Sequence, residues 1–162
     1  MCASARRVSR PTITYFYFTY GCSAGPVPGD GSVAAYLDST NDLRKAAREA
    51  GTPSGYRKEF SDKTGSTHQI GYLTYKSIED GVYSVQKCAD FCDSEKFCLG
   101  FNIFFERDPA FKPASDCTNP EPITNVKCSI YGYPVAEASA TDEGQSREQF
   151  QVVIVGSNGK SL

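Results

Sequence analysis

The stretch Ser84-Val-Gln-Lys-Cys88-Ala-Asp-Phe-Cys92-Asp-Ser-Glu-Lys-Phe-Cys98-Leu-Gly-Phe-Asn-Ile-Phe-Phe105 changes its period halfway along. Its first half sets Val85, Cys88, Ala89, Phe91 and Cys92 at helical spacing behind Ser84, whose hydroxyl suits the cap of a first turn. Cys88 and Cys92 are four apart, so they share one helix face, and that face must be buried. From Phe97 the period falls to two, predicting a strand with Cys98 at its start. Phe101, Ile103 and Phe105 then point one way, Asn102 and Phe104 the other.

Working outward, residues 12–20 are β-branched and aromatic and predict a strand ending at Gly21-Cys22. Gly25, Pro26, Pro28, Gly29 and Gly31 make residues 23–32 a loop. Residues 33–50 predict one helix, with Leu37, Leu43, Ala46, Ala47 and Ala50 apolar and Gly51 and Pro53 stopping it. Residues 60–69 are polar and turn-like, and 71–75 read as a short strand. Downstream, a loop with Pro109, Pro113, Pro120 and Pro122 holds Cys117. Strands are expected at 125–131, around Cys128, and at 150–155, before a glycine-rich turn at 156–159.

The whole chain has 162 residues, about one domain on a prior of roughly 100–200 residues each. With 40% hydrophobic and 22% charged residues it is globular in composition. A net charge of −2 argues against a nucleic-acid binder, which carries a basic excess or face. No apolar run approaches the roughly 20 residues of a membrane-spanning helix.

Seven cysteines, at positions 2, 22, 88, 92, 98, 117 and 128, put five in one stretch. A zinc site wants two tight ligand pairs; Cys88 and Cys92 could supply half, but the spacings that follow are x5, x18 and x10. No C-x-x-C redox motif is present. The count favours a disulfide framework over a metal site, with Cys2 as the odd free thiol. Such a framework belongs to an oxidising compartment. The opening carries Arg6, Arg7 and Arg10 but an aromatic–threonine run in place of an apolar leader. The expectation is therefore secretion with a leader outside this sequence.

A helix with C-x3-C, a cysteine opening the next strand and a distant cysteine in another strand resemble the PAN/apple module. The phrases Gly100-Phe-Asn-Ile-Phe-Phe-Glu-Arg-Asp-Pro109, Cys117-Thr-Asn-Pro120, Phe150-Gln-Val-Val-Ile-Val-Gly-Ser-Asn-Gly159 and Thr52-Pro-Ser-Gly-Tyr56 are similar to fungal secreted, fruiting-body-associated apple-like proteins. The resemblance covers about residues 21–159. It implies an α+β fold, with one main helix clipped to an antiparallel sheet and an N-terminal helical extension. It also implies disulfides Cys92–Cys98 and Cys88–Cys128, after which Cys22 and Cys117 are left over and pair by elimination. The expected layout is an N-terminal segment 1–20, a domain 21–159 with its core at about 70–155, and a tail 160–162.

For catalysis, His68 is the only histidine, with Ser66 or a cysteine as conceivable partner, but no nucleophile motif surrounds it. Glu106, Asp108 and Asp116 could be drawn together as carboxylate pairs. Glu106-Arg107-Asp108, at a strand end, is either a loop-anchoring ion pair or a ligand-facing group. The glycines at 25, 29 and 31 are interrupted by proline and do not form a phosphate loop. Flat tyrosine and phenylalanine faces could stack on sugar rings, though tryptophan is absent. No Asn-x-Ser/Thr sequon occurs. The expected function is non-enzymatic extracellular recognition of a protein or cell-wall carbohydrate, without cofactor, metal, nucleic acid or membrane insertion. The competing expectations are a structural wall protein and a small secreted hydrolase.

Overall fold

The computed structural model describes residues 25–162. Two short helices, α1 (Val33–Leu37) and α2 (Asp42–Glu49), precede β1 (Arg57–Lys63), β2 (Ser66–Thr67) and β3 (Tyr72–Ser77). Then come α3 (Val85–Asp93), the long hairpin β4 (Gly100–Pro109) and β5 (Pro122–Tyr131), and β6 (Ala140–Asp142). A small hairpin β7 (Ser146–Arg147) and β8 (Phe150–Gln151) leads into β9 (Val153–Ser161). The main sheet has the order β1-β9-β4-β5-β3 and is antiparallel throughout. The protein is α+β, with α3 laid on one face of this sheet.

Ser84 caps α3, its hydroxyl accepting from the Lys87 amide. Cys88, Ala89 and Cys92 press onto Phe101, Ile103, Phe105, Val126, Cys128 and Ile130 to form the main core. Disulfides join Cys88 to Cys128 and Cys92 to Cys98, tying the helix to β5 and to the start of β4. Cys117 is disulfide-bonded as well. The strand expected at 12–20, the thiol of Cys2 and the pairing of Cys22 fall outside the described residues.

Four expectations are corrected. The helix at 33–50 is broken at residues 38–41, where Asp38 accepts from the Thr40 amide. Asn41 then starts a new helix, its side chain accepting from the Arg44 amide and donating to the Ala35 and Tyr36 carbonyls. The polar stretch 60–69 is not a turn: it belongs to edge strand β1 and to β2, which pairs with β6. Residues 156–159 are not a turn, and of the expected tail 160–162 only exposed Leu162 lies outside β9. Residues 156–161 run inside that strand, between β1 and β4, with Lys160 and Ser161 fully buried. The sheet core thus extends beyond 70–155 at both ends. Gly159 fits there because a Cβ would sit 2.2 Å from the Phe60 ring.

Candidate functional site

The face of the sheet opposite α3 is polar. Alternation along β4 sends Asn102, Phe104, Glu106 and Asp108 there, and register brings Lys127 opposite Phe104 and Asn125 opposite Glu106. The β2–β6 ribbon covers one end. The Thr67 amide donates to Asn102 Oδ1 (2.8 Å) and the Tyr131 hydroxyl donates to the Thr67 carbonyl (2.7 Å). Between ribbon and edge strand β3 lies a hollow of about 280 Å³, lined by Tyr72 and Tyr75 from β3, Phe104 and Glu106 from β4, Lys127 and Ser129 from β5, and Thr67 and Asp142 from the ribbon. Tyr72 and Tyr75 are 51% and 55% exposed.

At one end of the hollow, Lys127 Nζ donates to Glu106 and stands 3.3 Å from Asp108 Oδ2. Asn125 Nδ2 also donates to Asp108 Oδ2 (2.6 Å). Burial, then a hydrogen bond with Asp108, pushes the Glu106 carboxyl up to about 7 against the pull of Lys127. For Asp108, burial acts upward, but the bond with Glu106 and the Lys127 charge outweigh it and hold its pKa low. Burial pulls the Lys127 ammonium down, and the two carboxyls more than restore it. The group is therefore a neutral Glu106 beside an ionised Asp108 at mildly acid pH. Three buried oxygens on this face, Thr67 Oγ1, Asp108 Oδ1 and Asn125 Oδ1, have no hydrogen-bond partner. Arg147 reaches Asp108 Oδ1 only at 3.9 Å.

Of the residues singled out in the sequence, Glu106 and Asp108 come together, joined by Lys127. Arg107 does not join them: it points to the opposite face, Nε donating to the Gly31 carbonyl (2.8 Å) and Nη1 to that of Gln151 (2.7 Å). Ser66 turns its hydroxyl to Asp142 (3.4 Å) rather than to exposed His68. Asp116 lies exposed in the 110–121 loop. Lys127 was not marked by any motif; only the β4–β5 register reveals it. A larger hollow, about 690 Å³, runs between α3 and β3. Of its charged groups, Lys87 pairs with Asp80, Asp90 accepts from the Gln86 side chain, and Lys76 Nζ lies 5.5 Å from the Phe91 ring centroid. No family model, curated protein or solved structure matches this chain.

Proposed function

We propose that this chain is an apple-like extracellular module that recognises carbohydrate in the hollow between β3 and the β2–β6 ribbon, without turning it over. One observation carries the reading: two half-exposed tyrosines, Tyr72 and Tyr75, flank the buried, hydrogen-bonded pair Glu106–Lys127. Flat apolar rings beside fixed donors and acceptors suit a pyranose, which presents C–H faces and hydroxyl edges. The size is in keeping, since about 280 Å³ holds one or two sugar rings and not a protein surface. Asp108, the carboxyl bonded to Glu106, does not line the hollow, and the other lining carboxylate, Asp142, stands on the ribbon across it. The helix clipped twice to the sheet supports the apple-like assignment, and the disulfides support an oxidising compartment. Among the described residues no helix is long and apolar enough to cross a membrane.

The test is an NMR titration with trimers of common wall hexoses, following Tyr72, Tyr75 and Phe104. Saturable shifts confined to these residues are expected, with binding about ten-fold weaker in Tyr75→Ala. Shifts absent with every sugar, or centred on the α3–β3 hollow, would sink the reading.

A further inference from the structure

Resting on that glycan reading, we infer that the hollow selects amino sugars, the Glu106 carboxylate receiving the protonated amine of a 2-amino-2-deoxypyranose. The lining of the hollow sets two carboxyl groups, Glu106 and Asp142, against the single ammonium of Lys127, which Asp108 also shares. The groups facing Glu106 are Lys127 from β5, Asp108 from its own strand, Tyr72 and Tyr75 from β3 and Asp142 from β6 across the hollow. Arg147, from β7, stands behind Asp108 at 3.9 Å. The cluster is short of positive charge.

In the free protein burial, then the bond with Asp108, keeps the Glu106 carboxyl protonated up to about pH 7. A ligand ammonium can replace that proton: Glu106 gives it to solvent and the carboxylate accepts the N–H of the amine. The buried site thereby exchanges one positive charge for another. A second, independent mark of a missing partner is Thr67, 6% exposed in the lining of the hollow, whose Oγ1 has no hydrogen bond. The electron-rich faces of Tyr72 and Tyr75 favour an ammonium over a neutral or acidic substituent; the Tyr75 ring already holds Lys127 Nζ at 5.7 Å.

The experiment is calorimetric titration at pH 6 with the β-1,4-linked trimers of glucosamine, N-acetylglucosamine and glucose, in buffers of different ionisation enthalpy. The glucosamine trimer is expected to bind at least about ten-fold tighter than the other two. Wild type should release about one proton per site more than Glu106→Gln. That variant should lose the preference while its NMR spectrum away from the hollow keeps the wild-type dispersion, which shows its fold intact. Equal binding of all three trimers, or a preference surviving in Glu106→Gln, overturns the inference and leaves the glycan reading standing. Binding of propylamine as tight as that of glucosamine overturns the sugar part. No binding of any trimer overturns the glycan reading and the inference with it.

Discussion

Three consecutive residues, Glu106, Arg107 and Asp108, divide between two faces of one strand, and that division sets their roles. The two acids meet Lys127 in the polar hollow, whereas Arg107 is 6% exposed on the helix side. There its guanidinium lies 4.1 Å from the Phe150 ring centroid and 5.9 Å from that of Tyr36, and donates to the carbonyls of Gly31, in a loop, and Gln151, in β8. A lysine cannot span both carbonyls or stack as a plane. Arg107→Lys is therefore expected to lower the unfolding free energy by about 2 kcal/mol and to leave sugar binding unchanged. Urea unfolding beside the NMR titration checks both, and lost binding at full stability would place Arg107 in the site after all. The acids were legible in the sequence because they end an aromatic strand. Lys127 was not, because its neighbour in the cluster is 21 residues away and only strand register brings them together.

Among the elements, those with a hydrophobic period were the legible ones. α3 shows its cap and its buried stripe, and β4 alternates openly. β1 was missed because it is an edge strand, Arg57-Lys-Glu-Phe-Ser-Asp-Lys63, with Phe60 as its one buried side chain. The second half of β9 was missed because glycine and polar residues ordinarily mark turns. Here Gly156 takes a φ of +59° where the pairing with β4 slips register, and Gly159 makes room for the Phe60 ring. The break between α1 and α2 was missed, because the apolar positions of 33–50 outweighed Asp38-Ser-Thr-Asn41, whose side chains compete for the backbone. The two staples of α3 differ in what they restrain. Cys88–Cys128 closes a span of 40 residues and Cys92–Cys98 one of 6. Loop-closure entropy then assigns about 4 kcal/mol to the first and about 2 kcal/mol to the second. Replacing each pair by alanine should lower stability in that order, measured by urea unfolding. Equal losses would mean that the unfolded chain is not what the bonds act upon.

For the whole molecule, two buried groups on opposite faces shape the dependence of stability on pH. Glu106 keeps its proton to about 7 in the fold, whereas an ordinary glutamate gives it up near 4.5. Between those values the folded chain binds more protons than the unfolded one, so stability falls as pH rises. Lys160 acts oppositely. It is fully buried on β9, its Nζ donating to Thr52 Oγ1 at 3.1 Å, and burial, helped by Lys58, lowers its pKa from 10.5 to about 8. Between about 8 and 10.5 the unfolded chain holds the extra proton, so stability rises with pH. Below 3.8 protonation of Asp108 costs stability, because its folded pKa is held low. Above 10 the tyrosines at 36, 56, 72, 83 and 131, raised chiefly by burial, turn the curve down again. The urea midpoint should therefore pass through a minimum at about pH 7 to 8, where most proteins are near their best. Glu106→Gln should flatten the acid-side fall and Lys160→Met the alkaline rise, each without touching the other branch, since the two groups lie on different faces of the sheet. A midpoint that stays level from pH 5 to 7 in the wild type would show that Glu106 is ionised in the fold. It would also remove the proton whose exchange for an ammonium gives the hollow its selectivity.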